Sequence, residues 1–248
     1  MKIFNNRYSN HLLRFANHFR KFVLELFGNY DYSFKPSLNH LDDRLMKHIN
    51  YDGGFFIEAG ANDGVNQSNT YFLEMSRQWK GLLIEPIPSL YQECKQNRPN
   101  SITVNCALSN QDKEGSEIEI FDAGLMSICK GSLGSRKEEL EHAKNGLIAH
   151  GRNIDSLKKY KIQSFSLSAL ISDKKISKID FLSLDVEGHE EQVLKGLMQS
   201  PIKPIFILVE CRFYEDVWAV LKNHYHVIEK LTYHDYLFKL KNVCIQTS

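Results

Sequence analysis

Short apolar runs alternating with helical segments constrain the fold of this chain more than any other feature of it. Phe55-Phe56-Ile57, Gly81-Leu82-Leu83-Ile84, Ile102-Thr103-Val104, Phe181-Leu182-Ser183-Leu184 and Ile205-Phe206-Ile207-Leu208-Val209 are short and largely apolar on successive positions, as strands buried on both faces are. Residues 68–77, 89–98, 190–199 and 215–223 have helical spacing. This order predicts an α/β fold with a mainly parallel sheet and helices on both faces. The tail adds two strands with no helix between them, Tyr225 to Leu231 and Tyr236 to Leu240, joined by Thr232 to Asp235 as an antiparallel hairpin.

Two segments fall outside that rhythm. Residues 108–178 form an insert of about 70 residues, too long for a simple crossover, so it must have structure of its own. Ser116 to Phe121 and Ile162 to Leu167 alternate like strands of an antiparallel appendage, Arg136 to Ala149 reads as a helix, and Gly124 to Gly134 as a mobile loop. Residues 1–50 form a helical extension ahead of the turn Asp52-Gly53-Gly54, which opens the main domain at 51–248. Leu12, Phe15, Phe19, Phe22, Val23 and Leu26, with Arg14, His18 and Lys21 among them, predict an amphipathic helix over 11–27, and a second helix is expected from about Leu41 to Ile49. The extension has eight Lys and Arg against four Asp and Glu, although the whole chain of 248 residues has a formal charge of +1. Such a helix packs on the domain, makes a homodimer contact, or binds peripherally to a membrane surface.

A net charge this close to zero argues against a dedicated nucleic-acid partner. Five widely spaced cysteines without a C-x-x-C pair argue against a disulfide framework and a zinc site. No run approaches the roughly 20 apolar residues of a membrane span, and Glu25 interrupts the short apolar run Phe22 to Phe27, so a cytoplasmic location is expected.

Ligands of an open α/β sheet bind at the carboxyl ends of its strands. The first strand runs into Glu58-Ala59-Gly60-Ala61-Asn62-Asp63-Gly64, where Gly60 and Gly64 permit tight turning and Asn62 tolerates left-handed geometry. A pyrophosphate-binding G-x-G-x-x-G would need glycines where Asn62 and Val65 stand, so the turn suits a cofactor with an uncharged linker, such as S-adenosylmethionine. Glu85, at the end of the second strand, can accept hydrogen bonds from both hydroxyls of a ribose. Asn105-Cys106-Ala107-Leu108 ends the third, with Ala107 leaving room for an adenine ring and Asn105 able to read its edge. The fourth ends in Asp185-Val186-Glu187-Gly188-His189-Glu190, a density of ionisable groups that is costly unless solvated or used. Glu190 has the simpler explanation of an acid at a helix N-terminus.

Phe56 to Gly64, Leu83 to Pro86, Asn105 to Leu108 and above all Ile179 to Gly196 resemble the FkbM-type S-adenosylmethionine-dependent methyltransferases. The resemblance spans about residues 54–210 and implies a class I methyltransferase, Rossmann-like sheet, whose seven strands and antiparallel end match the outline read above. It further implies methylation of a hydroxyl, most often on a sugar or secondary metabolite, with surface glycans or glycosylated metabolites as the expected context. Glu58, Gly60, Ala61, Asn62 and Gly64 fall on the family's cofactor turn, Glu85 on its ribose acid, and Asp185, Glu187 and Gly188 on its signature loop. Glu58 departs from the Asp of many members.

A hydroxyl is a poor nucleophile at neutral pH and needs a base or a metal. The candidates at the strand ends are Asp185, Glu187, His189 and Glu210, with His189 or Asp185 favoured as base and a divalent ion between Asp185 and Glu210 the less favoured alternative. A metal on the hairpin histidines His224, His226 and His234 is not expected, for want of a third ligand. Residues 130–161 hold eight basic against four acidic residues, which would suit an anionic group on the acceptor, and Gly124-Leu125-Met126-Ser127 reads as a lid. The competing functions are a catalytically silent nucleoside-binding module and a nicotinamide enzyme.

Overall fold

The computed structural model describes residues 34–149 and 151–241, so the helix expected over 11–27 lies outside the described residues. The apolar runs form strands β1 (Phe55–Ala59), β2 (Lys80–Ile84), β3 (Ile102–Val104), β8 (Phe181–Leu184) and β9 (Phe206–Glu210). With the tail strands β10 (Tyr225–Lys230) and β11 (Asp235–Leu240) they make a seven-stranded sheet in the order β10-β11-β9-β8-β1-β2-β3. Only β11 runs against the rest, pairing antiparallel with both β9 and β10.

Both faces of this sheet are buried, and successive residues of each strand serve opposite faces. Ile57, Leu82, Leu182, Leu184, Ile207 and Val209 pack on one side against α5 (Leu167–Asp173), α6 (Glu190–Leu197) and α7 (Tyr214–Leu221). Phe56, Leu83, Phe181, Phe206 and Leu208 point the other way, towards α1 (Leu41–Leu45), α2 (Tyr71–Ser76), Trp79 and Cys94 of α3 (Pro88–Asn97). Leu41, Leu45 and Ile49 are buried in this second layer, so the chain just before the Asp52-Gly53-Gly54 turn shares the domain core.

In the insert, β5 (Glu117–Asp122), β6 (Ile128–Cys129) and β7 (Lys158–Phe165) form an antiparallel set that β4 (Ala107–Leu108) extends in parallel, while α4 spans Arg136–Ala149 as the pattern predicts. Two expectations fail here. The strand expected over Ile162 to Leu167 begins earlier and stops at Phe165, because the Ser166 hydroxyl caps α5 by accepting from the Ala169 N–H at 3.1 Å. The segment Gly124 to Gly134, read as a loop, contains a 3-10 turn over Gly124–Met126 and then β6.

Candidate active site

The turn after β1 is positioned by its own carboxylates. Gly60, Asn62 and Gly64 all adopt left-handed backbone, at φ 85°, 50° and 79°. The tightness at Gly60 serves the protein itself: a Cβ there would lie 2.0 Å from the Asp185 carbonyl oxygen, so the β1 and β8 loops close on one another through this glycine. Gly64 faces away from the cavity, towards Arg98 and Cys94. Glu58 is buried and accepts hydrogen bonds from Ser68 Oγ (2.8 Å), the Asn69 N–H (2.9 Å) and Thr70 Oγ1 (2.6 Å). Its oxygens are thereby committed to bracing residues 68–70, which delays the helix expected from 68 until Tyr71. Burial raises the Glu58 carboxyl above its usual range, opposed by the nearby Arg98 charge.

Arg98 is the buried hub that the sequence did not reveal. Fully enclosed, it donates from Nε to Glu74 Oε2 at 2.7 Å and from its terminal nitrogens to the Gly64 carbonyl and the Ser68 and Thr70 hydroxyls. Nothing in its local pattern marks it, since its partners come from the β1 turn and α2.

At the carboxyl ends of β1, β2, β8 and β9 opens a cavity of about 310 Å³, near the lower end of the size range of ligand pockets. Gly60, Ala61, Asn62, Glu85 and Ala107 line it, together with Asp185, Glu187, His189, Glu210, His234 and Asp235. The insert closes it with Gly124, Leu125, Met126, Ser127 and Cys129, and Leu38 and Leu41 reach it from the N-terminal side. Asn105 is not in the wall: its Nδ2 donates to the Glu85 and Pro86 carbonyls at 2.8 and 2.9 Å, holding the turn after β2. None of the eight basic residues of 130–161 lines the cavity either; Arg136 pairs with Glu119, and Arg152 with Asp122.

Six carboxylates therefore face or border this cavity, Glu58, Glu85, Asp185, Glu187, Glu210 and Asp235, and among the described residues no lysine or arginine lines it. Glu85 accepts from the Asn62 N–H at 2.8 Å and the Ile87 N–H at 2.8 Å, and burial pushes its carboxyl up to about 7. Asp185 is raised well above the usual carboxylate range by burial and by the neighbouring charges of Glu210, Glu187, Glu190 and Asp235. His189 is pushed down to about 4 by burial, leaving the ring neutral at physiological pH. Its Nδ1 lies 3.4 Å from Ser132 Oγ, and its Nε2 is buried without a hydrogen-bond partner.

The rest of the signature loop holds its own shape. Glu187 sits at φ 55° and accepts from Arg212 at 3.0 Å, with His142 Nε2 3.1 Å away, so this acid anchors the loop to α4 and to the end of β9. Glu190 accepts the Val186 and Gly188 N–H groups at 3.3 and 2.9 Å, and burial raises it to about 7. Of the three acids in the loop, only Asp185 is free of such a structural tie in the hydrogen bonds observed. Burial pushes the Cys106, Cys129 and Cys211 thiols up to about 12, which removes them as nucleophiles.

The donor set fits S-adenosylmethionine. Its sulfonium is a cation and would meet carboxylates, its ribose hydroxyls would meet Glu85, and two buried atoms of wall residues, Asn69 Oδ1 and His189 Nε2, lack partners. A dinucleotide pyrophosphate would meet the same carboxylates without a compensating cation.

Comparison with solved structures returns methyltransferases. A TehB-like S-adenosylmethionine-dependent methyltransferase from Corynebacterium glutamicum aligns at 12% identity over 94% of this chain and 100% of its own, with a TM-score of 0.42. A methyltransferase FkbM from Methylobacillus flagellatus aligns at 13% identity and TM-score 0.45 over 76% of this chain, which spans 44% of that longer one. Aeropyrum pernix fibrillarin, solved with natively bound S-adenosyl-L-methionine, aligns at 8% identity over 81% of this chain and 73% of its own, with a TM-score of 0.42. No curated protein matches in sequence. The methyltransferase FkbM domain matches residues 58–238, from the β1 turn to the last strand, and the chain belongs to that family.

Proposed function

We propose that the protein transfers a methyl group from S-adenosylmethionine to a hydroxyl of an uncharged, sugar-like acceptor, with Asp185 as base. The observation that supports this most is the cavity at the strand ends, bordered by six carboxylates and, among the described residues, lined by no lysine or arginine. Such a wall attracts the cationic donor and disfavours phosphorylated or carboxylated acceptors, and the basic residues of the insert, which do not line the cavity, offer no counter-charge there.

When bound, the cofactor supplies an electrophilic methyl: the acceptor oxygen forms the new C–O bond as the C–S bond breaks, the electron pair stays on sulfur, and the hydroxyl proton leaves to the protein. Glu85 holds the ribose from the β2 end. Asp185 lies in the wall without a side-chain hydrogen bond among those observed, which leaves its carboxylate available to the acceptor hydroxyl, and burial raises its proton affinity above that of an ordinary carboxylate. His189, neutral and with Nε2 uncommitted, accepts a hydrogen bond from the acceptor and orients it. Leu125 and Met126 of the insert keep water from the reacting atoms.

Titration calorimetry with S-adenosylhomocysteine and with NAD tests the reading. S-adenosylhomocysteine is expected to bind, at least tenfold more weakly to Glu85→Ala, and NAD is expected not to bind. No binding of S-adenosylhomocysteine would remove the proposal. Transfer of labelled methyl to neutral but not to acidic sugars then tests the acceptor class and distinguishes an enzyme from a silent binding module.

A further inference from the structure

We propose that Glu210, His234 and Asp235 form a site for a divalent cation of the Mn²⁺ class in the wall of the cavity. The register of the sheet creates it. Because β11 runs antiparallel to β9, its first residue, Asp235, pairs directly with Glu210, the last residue of β9. Two carboxylates opposite each other across a ladder repel. His234, immediately before β11, adds an imidazole: Nε2 lies 3.4 Å from Asp235 Oδ2 and 3.9 Å from Glu210 Oε2. One ligand atom from each of the three falls within 4.8 Å of the others.

Metal–ligand bonds of about 2.0–2.2 Å hold neighbouring ligand atoms about 3–3.5 Å apart. The imidazole–Asp235 spacing already meets this, and the half-buried Glu210 carboxylate would close in on both by a side-chain movement. The Glu210 spacing is too long for a hydrogen bond, so the ring is not locked against that carboxylate. The Thr232 hydroxyl donates to Asp235 Oδ2 while accepting from the His234 and Asp235 N–H groups, the kind of supporting contact that orients ligating side chains. Arg212 is bonded to Glu187, and its charge reaches Glu210, but Asp185 and Glu187 add negative charge on the same side.

One imidazole and two carboxylates suit Mn²⁺, and three protein ligands leave coordination positions open towards the cavity. An acceptor hydroxyl there would lose its proton more readily. That role rests on the methyl-transfer reading, whereas the site itself does not. The less favoured Asp185–Glu210 pairing of the sequence analysis offers only two ligands, whereas this group keeps Glu210 and takes His234 and Asp235 from the hairpin.

The test is titration of the full, EDTA-stripped chain with Mn²⁺, with free Mn²⁺ read by electron paramagnetic resonance. One equivalent is expected to bind, at least tenfold more weakly to Glu210→Gln, His234→Ala and His234→Gln, and within threefold of the parent for Asp185→Asn. No bound equivalent, or binding that survives Glu210→Gln and both His234 variants, overturns the site. Binding lost in Asp185→Asn but kept in the His234 variants also overturns it, placing the ion between Asp185 and Glu210. S-adenosylhomocysteine calorimetry on the same protein separates the two proposals: cofactor binding without Mn²⁺ binding sinks the metal site alone, and the reverse sinks the methyl-transfer reading alone.

Discussion

Single residues divide here into those that face the ligand and those that hold the ones that do. Arg98 belongs to the second kind, with its charge fully enclosed and paired to Glu74. Arg98→Met would leave Glu74 and Glu58 without their counter-charge and is expected to destabilise the fold by about 3–5 kcal/mol in chemical denaturation. Glu85 and Glu190 are both raised from 4.5 to about 7 by burial. The folded chain therefore keeps two protons that the unfolded chain releases, a contribution to stability complete below about pH 4.5 and lost as pH rises through about 7. Denaturation midpoints should fall across that window for the parent and fall less for Glu85→Gln; an equal slope in both would contradict the burial argument. At the reacting centre, Asp185→Asn should lower kcat by about 100-fold or more, and His189→Ala by less, because a neutral ring with a proton affinity near 4 is a weak base. The acids themselves were legible at the strand ends, but not which were committed: only hydrogen-bond partners show that Glu58 and Glu187 brace their loops while Asp185 does not.

Among the elements, the β1 turn and the signature loop form one unit, because Gly60 lets the Asp185 carbonyl approach to a distance that any side chain would block. Gly60→Ala combines that clash with a left-handed backbone and should cost more than about 1 kcal/mol, with loss of S-adenosylhomocysteine binding; tolerated alanine would contradict the close approach. The glycine turn was readable from composition, whereas its partner across the sheet was not. Element boundaries in the insert slipped for a local reason: Ser166 is a helix cap, and Leu167, Leu170 and Ile171 have helical spacing that a strand reading of 162–167 overlooks. The segment at Gly124–Met126 lies over the cavity, so hydrogen exchange in 124–129 is expected to slow when cofactor binds. Identical exchange with and without ligand would make it a fixed wall.

Across the whole molecule, the sheet brings residues far apart in the chain to one end. Leu38 and Leu41 from the N-terminal segment, Met126 from the insert and His234 from the hairpin all meet the strand ends. Among the described residues no helix is long and apolar enough to cross a membrane. The basic, apolar pattern at 11–27 leads to the proposal of reversible attachment to an anionic surface. Flotation with anionic liposomes is expected to retain the full chain and release a chain beginning at Phe34; equal partition of both would leave that segment to packing or dimer contact.

The sequence alone determined the strands of the main sheet, the helices that follow them and the turn chemistry, because burial on two faces, helical periodicity and left-handed backbone each act within a few residues. It also placed Asp185, Glu85 and the glycine turn at strand ends, since direction along a strand is fixed by chain order. Tertiary structure decided what depends on contacts between distant segments: the enclosure of Arg98, the diversion of Asn105 and Glu58 to bracing, and the absence of insert cations from the cavity wall. The pairing of Asp235 with Glu210 belongs there too. Antiparallel register, set by packing of the whole sheet, is what puts those two carboxylates and His234 side by side.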